Sequence, residues 1–359
     1  MEMPPGQHLR ELPGPLLLTG HTGFKGTWMT FLLEHLNIPV VGYSLPAEKD
    51  SLFERAERTG AIPEEFSDIR DRGALEKFID LHKPSTIIHM AAQPLVLKSY
   101  ESPRETFDVN VMGTVNVLDI AFRKDFVKAI IVVTTDKVYR NDNSGRAFVE
   151  TDPLEGKDPY SASKVGTESV VAAWQQIAKV AGGPKVVSVR AGNVIGGGDF
   201  AENRIIPDLI RGVINGIPVE IRNPESIRPW QHVIDPLFAY LVVLESALNG
   251  VEINAINLGP LEVGISVQDI VNIFMSHPLV SELEGVQPIV QNSNVFEAKN
   301  LVLNSSKANE LLRIHPRFTS KQAINMTFDW WERVMTKDIE PYGACIEDIE
   351  LYLGEKLYE

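Results

Sequence analysis

The sequence predicts an α/β fold, with a doubly wound parallel sheet followed by a smaller C-terminal α/β lobe. In the first half of the chain, short apolar runs alternate with amphipathic segments of helical period. The runs are apolar throughout, as in parallel strands that helices cover on both faces. A glycine-rich turn joins the first run to the first helical segment. Together these features are typical of a Rossmann-like, dinucleotide-binding sheet.

The order of the elements follows from these patterns. Five buried strands are predicted at residues 16–19, 38–43, 86–89, 129–134 and 185–190. Helices are predicted among them at residues 25–36, 74–81, 105–122 and 161–180. Beyond residue 193, glycines and prolines interrupt the periodicity, and we expect strands at 219–221 and 255–258 and helices at 205–213, 236–248, 267–275, 319–335 and 346–353. We therefore assign residues 1–192 to a cofactor-binding domain, to which residues 232–257 return, and residues 193–359 to a substrate-binding lobe.

Composition limits the class of partner. The 359 residues include 34 basic and 48 acidic side chains, and the net charge of −14 disfavours nucleic acid and anionic membranes as partners. The single cysteine, Cys345, allows no internal disulfide and fits a reducing compartment. No stretch has the roughly 18 consecutive apolar residues of a membrane span, and residues 1–15 lack the apolar run of a signal peptide. We therefore expect a cytoplasmic protein.

The glycine-rich turn, GHTGFKG at residues 20–26, is the first candidate site. Glycine permits a tight turn and lets the backbone approach a pyrophosphate, and the N-terminus of the following helix favours the anion. The predicted cofactor contacts in this turn are Gly20, Thr22, Gly23, Phe24, Lys25 and Gly26. An ordinary turn is the alternative, since the spacing is G-x-x-G-x-x-G rather than G-x-G-x-x-G.

The end of the second predicted strand bears on the choice of dinucleotide. An acidic residue there would bind the ribose hydroxyls of NAD, but Tyr43 and Ser44 occupy the position. Lys49 is close in sequence, so NADP remains an alternative to NAD. We expect Tyr43, Asp68 and Ile69 to lie on the adenosine side, although Asp68 alternatively caps a helix.

Two clusters of reactive side chains follow along the chain. Tyr160 and Lys164 lie one helical turn apart, and an ammonium beside a phenol favours the phenolate, which can remove a proton from a sugar hydroxyl. Thr135, Asp136 and Lys137 follow a predicted strand, at the edge of the sheet where reactive groups collect. Taken alone, the first pair also fits an exposed helix start, and the second cluster also fits a capped turn with a surface ion pair.

These motifs together resemble one superfamily. The chain resembles the extended short-chain dehydrogenases/reductases from residue 16 to about residue 331. Its motifs follow the order of that superfamily, which is the glycine turn, HMAA at residues 89–92, Asn110, Thr135, Tyr160 and Lys164. The longer motifs are similar to those of CDP-glucose 4,6-dehydratases; they are GHTGFKGT (20–27), HMAAQPLV (89–96), NVMGTV (110–115), TDK (135–137), RAGNVIGGGD (190–199) and IRNPESIRPWQHV (221–233). Lys137 separates this group from the dTDP-glucose 4,6-dehydratases, which have Glu at that position.

The resemblance implies NAD as the cofactor and an internal redox cycle. Tyr160, with Lys164 and Thr135, would deprotonate the C4 hydroxyl of the sugar while a hydride passes from C4 to the nicotinamide. Lys137 would then remove the C5 proton, and Asp136 would protonate the departing C6 hydroxyl. Return of the hydride to C6 gives a 4-keto-6-deoxy sugar nucleotide. A lysine that acts as a base must be neutral, which requires burial or a neighbouring cation.

The resemblance also implies binding residues on both sides of the reaction centre. The further cofactor contacts would be Ala91, Ala92, Gln93 and Asn110. The nucleotide sugar would contact Gln93, Asn193, Arg204, Arg222, Arg228 and Glu297. Arginine suits a pyrophosphate because its guanidinium binds two oxygens at once, and Arg190 is either one more such residue or a structural one at the strand edge. His232 fits an interior hydrogen-bonding residue more than a catalytic one.

In the superfamily, two helices from each subunit form a four-helix interface, which implies a homodimer through segments 105–122 and 161–180. The second segment has apolar residues on more than one face, as a partner surface requires. No metal is expected, because His8, His35, His82 and His277 lie at no ligand spacing from other histidines, cysteines or acids.

Two other classes of function remain open. A sugar-nucleotide 4-epimerase or 4-reductase of the same superfamily needs only Tyr160, Lys164 and Thr135. A cofactor-sensing protein without catalysis is possible on the same fold. Asp136 and Lys137 favour elimination, because an epimerase needs no acid and base for C5 and C6.

Overall fold

The computed structural model describes residues 14–141, 145–221, 223–260, 262, 264–282, 289–290 and 301–354. The strands in these ranges are β1 (Leu16–Thr19), β2 (Val40–Ser44), β3 (Glu64–Phe66), β4 (Thr86–His89), β5 (Ala129–Thr135), β6 (Ala147–Phe148), β7 (Lys185–Ala191), β8 (Val194–Ile195), β9 (Glu220–Ile221), β10 (Ile227–Arg228), β11 (Gln231–His232), β12 (Ala255–Leu258), β13 (Ile265–Ser266), β14 (Ile289–Val290) and β15 (Val302–Leu303).

The helices alternate with the strands in the first half of the chain and dominate the second half. They are α1 (Phe24–His35), α2 (Leu52–Arg55), α3 (Arg72–His82), α4 (Val96–Glu101), α5 (Pro103–Phe107), α6 (Gly113–Ala121), α7 (Pro159–Ala181), α8 (Ile205–Asn215), α9 (Ile234–Leu248), α10 (Val267–Ser276), α11 (Pro278–Glu282), α12 (Ser306–Leu312), α13 (Ser320–Thr336) and α14 (Pro341–Leu353). A π-helical turn (Asp108–Met112) joins α5 to α6, and a 3₁₀ turn (Asp136–Val138) follows β5.

A seven-stranded parallel sheet forms the centre of the molecule, in the order β12-β7-β5-β4-β1-β2-β3. This confirms the predicted doubly wound α/β class. Strands β1, β4 and β5 are buried along their whole length, because helices cover both faces of the sheet. The chain reverses its direction of winding between β1 and β4, and ligands of open α/β sheets bind beside the carboxyl ends of the strands at such a switch point.

The second half of the chain forms helices and short two-stranded pairs, one of them with β6 from the first half. The pairs are β10-β13, β11-β8, β14-β9 and β15-β6. Helix α9 packs against β5 and β7, and β12 then joins the edge of the main sheet. The chain therefore returns to the main sheet at α9 and β12, and the division into two domains, with residues 232–257 in the first, stays a prediction. No helix in the described ranges is both long and apolar enough to cross a membrane.

Most predicted elements are present within a few residues of their expected bounds, and the structure adds several short elements that the sequence did not predict. Segment 105–122 is helical yet contains the π-helical turn in its middle. Strand β3 and helix α4 were not predicted. Strand β3 lies at the edge of the sheet and is largely exposed and polar, so it lacks the apolar run that marks a buried strand.

Candidate active site at the carboxyl edge of the sheet

The glycine-rich turn fits a dinucleotide because its glycines leave no room for side chains. Gly20 has φ +77°, and a Cβ atom there would lie 2.8 Å from the backbone nitrogen of Ala91. A Cβ atom on Gly26 would lie 2.0 Å from the carbonyl oxygen of Gly20. Gly23 is the N-cap of α1, so no side chain caps this helix, and its first turn has no acidic residue. The first turn of α1 therefore offers its N–H groups to an anion.

Hydroxyl groups line the side of the turn at which adenosine is predicted to bind. The side chain of Thr22 lies 2.8 Å from the Ser44 hydroxyl and donates to the carbonyl oxygen of Leu45 (2.9 Å). Tyr43 is fully buried, and its phenol donates to the carbonyl oxygen of Asp68 (3.2 Å). Tyr43 thus positions the Asp68 loop from the core and does not present its hydroxyl to the cleft.

The Asp68 loop is held by two further contacts. Arg70 donates to both carboxylate oxygens of Asp68, which lowers the pKa of this carboxyl. Ile69 is buried, and a Cβ atom on Gly113 would lie 2.7 Å from its side chain. Asp68 does not cap α3; Asp71 does, by accepting from the backbone of Ala74 (2.9 Å).

The loop after β4 is tied to helix α7 through Asn110. The side chain of Asn110 accepts from the backbone of Gln93 (2.8 Å) and donates to its carbonyl oxygen (3.1 Å) and to Ser163 (2.8 Å). The amide of Gln93 donates to the carbonyl oxygen of Leu95 and to Thr106. Asn110 and Gln93 therefore fix the wall of the cleft that contains Ala91 and Ala92. Direct contacts of these four residues with cofactor or substrate stay predictions.

Tyr160 and Lys164 lie in the first two turns of α7, whose start Asp158 fixes by accepting from the backbone of Ser161 (2.9 Å). Both side chains are buried. Lys164 donates to the carbonyl oxygen of Val133 (3.1 Å), and burial lowers its pKa to about 8. Burial raises the pKa of Tyr160 to about 12. The exposed helix start that the sequence left open is thus excluded.

The second cluster lies beside the first. The Thr135 hydroxyl donates to the Asp136 carboxylate (2.9 Å) and is close enough to Tyr160 to oppose the effect of burial on the pKa of the phenol. Asp136 is buried, and burial raises the pKa of its carboxyl. Lys137 is half-buried, and its positive charge acts on Asp136 in the opposite direction. The structure therefore brings a hydroxyl, an acid and an amine together beside the Tyr–Lys pair.

The strand edge next to Asp136 has no space for a side chain. A Cβ atom on Gly192 would lie 3.2 Å from the Asp136 carboxylate and 4.0 Å from the Pro229 ring. Arg228 is close enough to lower the pKa of Asp136 by its charge. The segment after β10 therefore lies close to the reactive cluster.

The predicted substrate residues divide into three groups. Asn193 is half-buried beside β11, and its carbonyl oxygen accepts from the backbone of Gln231 (3.1 Å). Arg204 forms an ion pair with Asp199 (2.8 Å), and its charge lowers the pKa of Tyr160, which places it near the reactive cluster. Arg222 and Glu297 lie outside the described residues.

Arg190 is structural. Its guanidinium forms an ion pair with the buried carboxylate of Glu168, and it also donates to the phenol of Tyr139 (2.8 Å). His232 is fully buried with its ring edge-on to Trp28, and burial lowers its pKa to about 3. Neither side chain is available to bind a phosphate.

Sequence reasoning missed one group in the cleft and one metal-like cluster. The ammonium of Lys25 donates to the phenol of Tyr240 (2.6 Å) on α9, a residue that no motif marked. Three ligand atoms of His277, Asp329 and Glu332 lie within 4.8 Å of one another. Nδ1 of His277 accepts from the backbone of Leu279, so Nε2 has the proton and donates to Asp329 (3.0 Å). A metal would have to displace that proton, and the prediction of no metal stands as a prediction.

The fold and the buried Tyr–Lys pair define a dinucleotide-dependent protein of the short-chain dehydrogenase/reductase class. Residues 16–259 match the NAD dependent epimerase/dehydratase family. The CDP-glucose 4,6-dehydratase of Salmonella typhimurium is 38% identical over 325 residues, 88% of this chain and 89% of that protein. The chain therefore belongs to the NAD dependent epimerase/dehydratase family, and it is an NAD-dependent enzyme.

More distant relatives share the fold. The dTDP-glucose 4,6-dehydratase of Xanthomonas campestris is 26% identical over 88% of this chain and 92% of that protein. The structure of Bacillus anthracis dTDP-glucose 4,6-dehydratase in complex with NAD has a TM-score of 0.75 at 20% identity, over 92% of this chain and 99% of that one. The Thermus thermophilus UDP-glucose 4-epimerase complex with NAD has a TM-score of 0.74 at 24% identity, over 88% and 98%.

Proposed function

We propose that the protein is a nucleotide-sugar 4,6-dehydratase that acts on CDP-glucose. The observation that carries the proposal is the position of Thr135, whose hydroxyl donates to Asp136 and is close enough to the Tyr160 phenol to oppose the rise of its pKa. An acid and an amine thus lie next to the residues that oxidise a sugar hydroxyl. The 38% identical relative named CDP-glucose 4,6-dehydratase supports both the reaction and the nucleotide.

The first half-reaction uses the Tyr–Lys pair. Tyr160, as a phenolate that Lys164 and Thr135 stabilise, accepts the proton of the C4 hydroxyl and becomes the neutral phenol. The glycine-rich turn would hold NAD, which would supply the hydride acceptor for C4 and the hydride donor for C6. The C4 ketone that remains on the sugar makes the neighbouring C5 proton acidic.

The second half-reaction uses the adjacent cluster. Lys137 removes the C5 proton, and Asp136 gives a proton to the C6 hydroxyl, which leaves as water. The raised pKa of Asp136 suits this role, because an acid must still hold its proton near neutral pH. A hydride at C6 and a proton at C5 complete the 4-keto-6-deoxy sugar.

The competing function is a 4-epimerase or 4-reductase, since UDP-glucose 4-epimerases share the fold. Such an enzyme has no need of Asp136 and Lys137, and burial of a carboxyl without use is costly. A cofactor-sensing protein without catalysis would not need the reactive side chains of Thr135, Asp136, Lys137, Tyr160 and Lys164. We therefore place the dehydratase first.

We further propose a cytoplasmic homodimer. Exposed apolar side chains lie along the helical segments that the resemblance assigns to the interface; they are Phe107, Met112, Ile177 and Val180. Burial of such a patch on a second copy is favourable. Light scattering should give the dimer mass, and Met112→Glu with Ile177→Glu should give the monomer mass.

The buried single cysteine, Cys345, suits a reducing compartment.

A panel of substrates tests the function. The protein is incubated with NAD and, separately, with CDP-, dTDP-, UDP- and GDP-linked hexoses, and the mass of each sugar nucleotide is followed. We expect loss of one water from CDP-glucose. Loss of water from another nucleotide would keep the reaction and change the substrate. Unchanged mass with inverted configuration at C4 would establish the epimerase instead.

A further inference from the structure

Lys25 occupies an unusual position for a lysine. It is the second residue of α1, in the glycine-rich turn, and its side chain is half-buried. Its ammonium donates to the phenol of Tyr240 (2.6 Å) and lies 4.9 Å from the centre of that ring. A phenol is a neutral partner, so this contact does not balance the charge of the ammonium.

The charged groups that act on Lys25 are also cations. Lys164 reaches it from α7, and Arg204 reaches it from the start of α8. Lys164 is itself held near Glu168, and Arg204 is paired with Asp199. No carboxylate in the described part of the chain forms an ion pair with Lys25. The positive charges of Lys164 and Arg204 therefore act on an ammonium that lies beside an uncapped helix N-terminus.

Repulsion between these cations is relieved when one of them gives up its charge or when an anion enters. Burial, followed by repulsion from Lys164 and Arg204, lowers the pKa of Lys25 to about 7. Near neutral pH the amine is thus close to half neutral before any ligand binds. An anion beside it would reverse the balance and favour the ammonium.

We propose that Lys25 takes up a proton when NAD binds and then acts as a cationic anchor for the cofactor pyrophosphate. The anion is assigned to the cofactor because Lys25 belongs to the helix whose free N–H groups face a dinucleotide pyrophosphate. Tyr240 keeps the amine at the floor of the cleft until the anion arrives. This inference rests on NAD dependence and is independent of the reaction that the enzyme catalyses.

The proposal predicts that NAD binding depends on pH. Above pH ~7 the amine must first be protonated, so affinity should fall about tenfold for each pH unit until the bound form also loses its proton. Titration calorimetry of the full chain, freed of bound nucleotide, in two buffers of different ionisation heat gives the number of protons taken up. We expect this number to approach one per NAD at about pH 8.

Three variants isolate the amine. Lys25→Met should bind NAD weakly, with no proton uptake and little dependence on pH. Lys25→Arg keeps a fixed charge and should bind over the whole pH range, again without proton uptake. Lys77→Met removes an exposed lysine on α3 and should behave as the parent. The thermal transition shows whether Lys25→Met folds. If it does not, the proton uptake of the parent compared with that of Lys25→Arg still tests the proposal.

Two further ligands identify the anion. ADP-ribose contains the pyrophosphate without nicotinamide and should cause the same proton uptake as NAD. CDP represents the nucleotide-sugar pyrophosphate and should cause none through Lys25. The proposal is overturned if the parent takes up no proton with NAD, if Lys25→Arg takes up as many as the parent, or if the uptake accompanies CDP alone.

Discussion

Glu168 and Arg190 form a two-armed ion pair between α7 and β7. Nε and Nη2 of Arg190 lie 2.9 and 2.8 Å from the two carboxylate oxygens of Glu168, and each side chain is 5% exposed. Arg190 also donates to Tyr139, which donates to Asn257 on β12 (2.6 Å). The pair therefore connects the helix of Tyr160 to the turn that contains Asp136 and Lys137.

Removal of one partner of this pair should be costly. Glu168→Gln leaves the Arg190 guanidinium buried without a counter-charge, which should lower the free energy of unfolding by about 3–5 kcal/mol. Urea denaturation measures the change. The double variant Glu168→Leu with Arg190→Met removes both charges and should be more stable than Glu168→Gln. A single variant within about 1 kcal/mol of the parent would show that the ion pair does not hold the site.

Tyr160→Phe should stop the first chemical step. Without the phenol, no group removes the C4 proton, and loss of a general base typically slows a step by about 10²–10⁴. Absorbance of the reduced cofactor at 340 nm, in a single turnover with CDP-glucose, measures the effect. Reduction of the cofactor at the parental rate would exclude Tyr160 as the base.

Lys137→Ala should separate oxidation from elimination. Because Tyr160 and Lys164 remain, the cofactor should still become reduced, but the sugar nucleotide should lose no water. Rapid-quench mass spectrometry follows both events. Lys157→Ala removes an exposed lysine beyond the catalytic turn and serves as the matched control. Dehydration at the parental rate in Lys137→Ala would show that another residue removes the C5 proton.

Gly26→Ala should weaken cofactor binding, because the new Cβ atom would lie 2.0 Å from the carbonyl oxygen of Gly20. The turn would have to open, which separates the N–H groups of α1 from the pyrophosphate. Fluorescence titration with NAD should show at least about tenfold weaker binding, a loss of about 1.4 kcal/mol. Gly73→Ala on α3 is the control, since its Cβ atom would meet only Asp71, at 3.6 Å.

Asp235 makes the stability of the protein depend on pH. Burial raises its pKa to about 6, from 3.8, and its carboxylate accepts from the backbone of Arg317 (2.8 Å). Because the folded state holds the proton more tightly, its contribution is complete below about pH 4 and is lost as the pH rises through 6. Asp235→Asn should therefore be more stable than the parent at pH 8, by up to about 3 kcal/mol, and similar to it at pH 4.

Urea denaturation at the two pH values tests this dependence. Asp125→Asn changes an exposed carboxylate and should alter neither value. A difference between Asp235→Asn and the parent that is the same at pH 4 and pH 8 would contradict the assignment.

The sheet could be predicted from the sequence because its strands are continuous apolar runs. Strand β4 lies where it was expected, and β1 and β12 have their predicted bounds as well. Strand β3 could not be predicted in this way, because it is not an apolar run. It is a strand because it pairs with β2. The π-helical turn also depends on tertiary contacts. The carbonyl oxygen of Asn110 accepts from Thr114 and from Thr167 on α7. The contact with α7 cannot be predicted from the helix propensity of residues 108–112.

The site was predictable in its reactive residues and less so in their partners. The motifs placed Tyr160, Lys164 and the Thr135 cluster at one edge, as the structure has them. The role of Arg190 stayed open, because its partner Glu168 is 22 positions away. Tyr240 carries no motif, and its contact with Lys25 spans 215 positions. Such pairs follow from packing of distant elements, which spacing along the chain does not encode.

Transfer of a label from C4 to C6 tests the central claim most directly. CDP-glucose with deuterium at C4 is converted by the enzyme with NAD, and the product is examined by NMR and mass spectrometry. A dehydratase that oxidises C4, eliminates water and reduces C6 with the same hydride should place the deuterium in the C6 methyl group of a 4-keto product. Deuterium that stays at C4, in a product of unchanged mass, would contradict the account and indicate an epimerase.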